Sequence, residues 1–99
     1  MINWAKVVGF NWDAGNQRKS SVKHGVSQFE VEQVFFNQPL IVAADVRHSS
    51  VEARYHALGR TDTGRRLHIS FTLRADETLI RVISARAMHK KERAIYEQA

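Results

Sequence analysis

The 99-residue chain contains no cysteine. That excludes disulfides, thiolate metal centres and thiol nucleophiles, and it suits a reducing cytosol. No apolar run is long enough to cross a bilayer, and MINWAKVVGF at the start has one lysine and only a short apolar stretch. Neither a membrane span nor a signal peptide is expected, and the expected location is cytoplasmic. No linker, repeat or low-complexity tract breaks the chain. It has no nucleophile elbow and no Gly-rich phosphate loop, which removes the serine-hydrolase and P-loop readings. It has no H-x-H, H-E-x-x-H or carboxylate cluster, so no metal or other cofactor is expected.

What is present is basic. Lysine and arginine number 15 against 10 aspartates and glutamates, a net charge of +5 with pI near 10.1. A basic surplus on a small domain suggests nucleic acid or an acidic protein partner. Simple solubility is the bland alternative. The length sets a single domain, 1–99, with a hydrophobic core that needs no staples.

Local patterns give an order of elements. Residues 7–12 read as a first strand, and Asp13 as the cap of a helix over 14–24 that ends at Gly25. Ser27 and Glu30 form a capping box, with Val26 and Val31 spaced for a hydrophobic staple; the helix they open stops by Pro39. The apolar period then changes to two. Strands are expected over 40–44, 53–60, 66–73 and 78–86, with a last helix over 90–98. In the third of these strands Leu67, Ile69, Phe71 and Leu73 share one face, and Arg66, His68, Ser70 and Thr72 the other. The expected fold is α+β: an antiparallel sheet of about four strands, two N-terminal helices and one C-terminal helix.

Arg81 sits inside the apolar run of the last strand, and Arg86 closes it. A buried arginine needs a partner, so each either pairs with a carboxylate or faces an anionic ligand. Five positions apart on a regular strand, they point to opposite faces. One is then structural: Arg81 is the candidate for a salt bridge, and Arg86 the candidate to be free near the strand end.

The segments FNWD, KHGVS, DVRHS, RYHALGR and IRVISARAMHKKERAIYE follow one another between residues 9 and 97. In that order and spacing the chain resembles the BrnT-type toxins, RelE-like ribonucleases of bacterial toxin–antitoxin pairs. The resemblance implies a compact α+β fold and RNA cleavage that blocks translation. It also implies a hetero-oligomer with a small BrnA-type antitoxin, of ribbon-helix-helix kind, through which alone the pair would bind DNA. Residues 1–8 extend ahead of the family's usual start and are expected to be partly flexible. Lys23 and His24 match the KHG motif, Arg47 and His48 the D-x-R-H motif, and Tyr55 an aromatic position after the charged loop. Arg60, Arg81 and Arg86 match arginine positions of the later strands. Ser20 departs from the asparagine that typical members carry.

Metal-independent RNA cleavage needs a base for the 2′-OH, cations for the phosphorane and an acid for the leaving 5′-oxygen. Histidine suits the proton transfers and arginine the phosphorane. The candidate catalytic residues are Lys23, His24, His48, Arg60, Arg81 and Arg86, with Arg47 and Tyr55 for RNA contact. Each has a duller reading. His24 could be a helix C-terminal cation, His48 a loop residue bridging to Asp45, Arg81 a partner of an internal carboxylate, and Tyr55 a core or partner contact. Lys90, Lys91 and Arg93 read as a solvated helix face. His56 and His68, on neighbouring strands, raise only a weak metal reading. An endoribonuclease, a non-catalytic RNA-binding module and a pure partner-docking protein all remain open on residue chemistry alone.

Overall fold

The computed structural model describes residues 2–13, 15 and 25–99. Among these, five strands form one mixed sheet: β1 (Gly9–Phe10), β2 (Ile41–Ala44), β3 (Arg54–Arg60), β4 (Arg66–Arg74) and β5 (Leu79–Ala87), in the order β1-β5-β4-β3-β2. Two helices are described, α1 (Gln28–Phe36) and α2 (Lys90–Glu97). The α+β class stands, but the expected four antiparallel strands and three helices do not. β1 falls within the strand read over 7–12, but it joins the sheet as a fifth member and runs parallel to β5, with Gly9 opposite Leu79 and Phe10 opposite Ile80. Hairpin reasoning cannot reach this pair, because no short turn joins β1 to β5. Apart from Gly15, the helix expected over 14–24 lies outside the described residues.

Alternation decides which face of the sheet is dry. Leu67, Ile69 and Phe71 of β4 are fully buried, with Ala57 of β3 and Ile80, Val82 and Ala85 of β5. They pack against Val26, Val31 and Val34 of the α1 region. Phe35 meets Phe71 edge-on at 5.2 Å, and Tyr55 stacks on Phe71 at 5.5 Å. The capping box forms as the sequence implies: Ser27 Oγ accepts from the Glu30 amide at 3.2 Å, and the Ser27 amide donates to Glu30 Oε1 at 3.0 Å. Arg65 then ties this helix start to the β3–β4 turn through Glu30 and the Gly25 carbonyl. Residues 2–8 lie along the β1 edge: Ile2 is buried in the main core, and the Val8 amide donates to the Thr78 carbonyl at 2.8 Å.

The other face carries Arg54 and His56 of β3, and His68, Ser70, Thr72 and Arg74 of β4. Among the described residues, no helix like α1 covers it. α2 touches only one end, where Leu58, Met88 and Tyr96 make a small second core and Tyr96 Oη donates to the Pro39 carbonyl at 2.7 Å.

β5 contains a bulge that decides the site. Ser70 pairs with Ser84, yet the next residue, Phe71, pairs with Val82. Ile83 is therefore the extra residue, and it reverses the side-chain parity along β5. Arg86 lies opposite His68 and Arg81 opposite Thr72, two positions on the same face of β4. The expectation of opposite faces for the two arginines is corrected by this one inserted residue.

Gly59 marks where α1 presses closest on the sheet. A Cβ built there would lie 2.5 Å from Val34 Cγ1. Gly59→Ala should cost about 1–3 kcal/mol through overpacking, read as a lowered midpoint in denaturant unfolding with the slope unchanged.

Candidate active site

Side chains of β3, β4 and β5 on this face, with two from α2, build a groove. Its walls include His56, His68, Ser70, Ser84, Arg86, Glu92 and Ile95, and it encloses about 550 Å³, within the usual range for ligand pockets. The floor is sheet and one wall is α2, so the groove exists because that helix folds back over the strand ends.

The wall is held by an ion pair. Arg86 Nη1 and Nη2 donate to Glu92 Oε1 and Oε2 at 2.7 and 2.9 Å, and Nη1 also donates to the Ala87 carbonyl. The His89 amide donates to Glu92 Oε1 at 2.8 Å, so the same carboxylate caps α2. The Arg86 hydrogen bonds, led by their effect over the opposing cost of burial, hold the Glu92 carboxyl at about 2. Arg86 was expected to be free; it is half-buried and paired. Among the described residues, its Nε and the outer hydrogen of Nη2 carry no hydrogen bond, leaving one fork of the guanidinium open.

His68 lies beside this pair, with Nε2 3.8 Å from Glu92 Oε2. Burial first, then the positive charge of Arg86, push its pKa down to about 4, against a smaller opposing pull from Glu92. The ring is neutral near pH 7, and its buried Nδ1 has no hydrogen-bond partner among the described residues. A strongly shifted, incompletely satisfied imidazole in a groove is a mark of a functional site.

His56 stands next to His68, ring centroids 4.8 Å apart. Its Nε2 is 3.1 Å from Asp45 Oδ2, and its Nδ1 is 3.3 Å from Ser70 Oγ. The same Asp45 oxygen is 2.8 Å from His48 Nδ1. Asp45 is only 8% exposed. Burial pushes its carboxyl up, but the His48 hydrogen bond and the charges of His56 and His48 outweigh this and leave it below the ordinary value. One buried carboxylate thus orients two imidazoles. The His48–Asp45 bridge anticipated from the sequence is present, and it leaves the exposed His48 ring with its Nε2 unbonded among the described residues.

The remaining candidates are scattered. Arg60 lies at the end of β3, its Nε donating to the Gln38 carbonyl at 2.9 Å. Arg47 is exposed on the short turn Val46–His48. Arg81 binds Asn11 at 2.8 Å and Asp13 at 2.6 Å, remote from the groove. Tyr55 belongs to the helix-side core. Lys23 and His24 lie outside the described residues. His56, His68, Asp45 and Glu92 are not among the catalytic candidates read from the sequence, where His56 and His68 raise only a weak metal reading and Asp45 enters only as a partner of His48. The signal for the first two was available: strand alternation puts them on the polar face with Ser70. Among the described residues, no group of three or more His, Asp or Glu is placed to hold a metal ion, and no helix is long and apolar enough to span a membrane.

An α+β protein with one bare sheet face, on which histidines and an arginine fork line a groove, is equipped for acid–base chemistry at an anionic centre. Residues 12–92 match the family model described as the ribonuclease toxin BrnT of type II toxin–antitoxin systems. The chain belongs to that family, and its partner is a protein antitoxin. No curated protein matches it.

His68 and Glu92, the two most strongly shifted groups, dominate the acid stability. Between pH 6.5 and about 4, the unfolded chain binds a proton at His68 that the folded chain refuses. Stability should therefore fall as pH drops through that window, by on the order of 2 kcal/mol, and level off below it. Glu92 adds a second loss lower down, from its ordinary 4.5 to about 2. Thermal melts across pH 3–8 should show the upper slope in wild type and lose it in His68→Gln.

Proposed function

We propose that the chain is an endoribonuclease that cleaves RNA by metal-independent transesterification in this groove, and so inhibits translation. The observation that supports this most directly is the open fork of Arg86 beside imidazoles oriented by a buried carboxylate. The fork seats the scissile phosphate and stabilises the phosphorane. His48, held by Asp45 with its outer nitrogen unbonded, takes the 2′-OH proton or protonates the 5′-oxygen. His56 and neutral His68 shape the electrostatics of the same wall, with Lys23 and His24 as further candidates for proton transfer. Arg60, at the end of β3, is a further candidate for the phosphate, and Arg47, exposed on the turn Val46–His48, for RNA contact.

The toxin works in the cytoplasm. It is neutralised by a BrnA-type ribbon-helix-helix antitoxin, which brings the DNA contacts. Exposed Phe29, Phe36 and Val8, with Trp4 beside them, leave apolar area on the helix side for a protein partner.

Purified protein incubated with end-labelled single-stranded RNA in excess EDTA should cut it and leave 2′,3′-cyclic phosphate ends. Arg86→Lys and His48→Gln, each confirmed folded by circular dichroism, should lower the rate by about 10²–10³-fold. Induced wild type should arrest bacterial growth. Intact RNA from folded wild type, or full activity in both variants, would return the chain to a non-catalytic RNA- or partner-binding module. Cleavage that EDTA abolishes would remove the metal-independent mechanism.

A further inference from the structure

The bare face of the sheet does not end at the groove. Four residues along β4 from His68 stands Thr72, flanked in register by Arg54 of β3 and Arg81 of β5. At the rise of a strand, this lies about 13 Å from the level of Arg86. Arg74 follows two residues further on the same face. The three arginines line one open concavity together with Glu52 and Ile83.

The charges there do not cancel. Arg74 is paired with Glu52. Arg81 is fixed by Asn11 and Asp13. The guanidinium of Arg54 makes no hydrogen bond or ion pair among the described residues. Thr72, between Arg54 and Arg81, turns its hydroxyl inward to the Ala53 carbonyl at 2.6 Å and leaves the space above it to the arginines. Between this concavity and the groove the face offers Ser70 and Ser84. Two cationic stations on one sheet face, joined by hydroxyls and aligned with the strands, repeat charge at an interval as a phosphate backbone does. A sheet face that no helix covers among the described residues is also a known kind of platform for single-stranded RNA.

We propose that Arg54, Arg74 and Arg81 form a second phosphate subsite. It seats a non-scissile phosphate of a single-stranded RNA that runs along the strands with its scissile phosphate at Arg86. The bulge at Ile83 makes this possible, since without it Arg81 would face the core. This inference rests on the ribonuclease reading for the direction of the strand. Its test does not need cleavage.

The probe is a fluorescent 2′-O-methyl decanucleotide, which cannot be cut, bound to the full chain in a salt series. A dinucleoside monophosphate, too short to join the two stations, serves as a competitor. Arg54→Ala should weaken decamer binding about tenfold and reduce the slope of log K against log salt by about 0.7. Arg54→Lys should keep the slope. The affinity advantage of decamer over dinucleotide should shrink in the alanine variant. An unchanged decamer affinity and slope in Arg54→Ala would overturn the proposal. So would an oligoglutamate that displaces the decamer as well as RNA does, which would make the face a docking site for acidic protein. A wild type that binds the decamer as described but never cuts RNA would sink the ribonuclease reading and leave the subsite standing.

Discussion

The Arg86–Glu92 pair is the interaction on which the site depends. Glu92 closes the first turn of α2, holds the guanidinium end-on and lies beside His68. Without it α2 loses its cap and the groove its wall, while His68 faces an unbalanced arginine. The pair is half-buried, so it lies between exposed ion pairs of little worth and buried pairs that are costly to break. Its value here is geometric. An arginine fixed on one edge keeps its other edge aimed without spending side-chain entropy each time an anion arrives.

The second constraint is parity. A sheet packed on one face must put its polar residues on the other, and β3 and β4 obey this without interruption. β5 obeys it only because Ile83 is inserted. The segment R-V-I-S-A-R would otherwise send one arginine into the core, where no carboxylate among the described residues waits for it. The bulge costs one unpaired residue and brings both arginines to the bare face.

Much of this was readable from residues. The β3–β4 alternation, the Ser27–Glu30 box and the apolar faces of α1 and β4 are local signals, and the structure repeats them. β1 was not readable as a parallel neighbour of β5. Its two residues meet Leu79 and Ile80 through long-range packing that no local period encodes. The bulge was not readable either, since an extra residue shows itself only against a partner strand. The functional groups divide the same way. His48 with Asp45 is a short-range contact and was anticipated. His56, His68 and Glu92 meet only after β3, β4 and α2 are brought together, so along the chain the two histidines read as no more than a weak metal pair.

The histidines show how the fold separates roles among chemically equal side chains. His68 is buried next to a cation and is held neutral. His48 and His56 are oriented by one buried carboxylate, that of Asp45. Different surroundings are how a fold divides roles among like side chains. The same sheet that hides Phe71 on one side sets these environments on the other. Stability and chemistry thus draw on a single alternation, and a slip of one residue in β4 would cost the protein both.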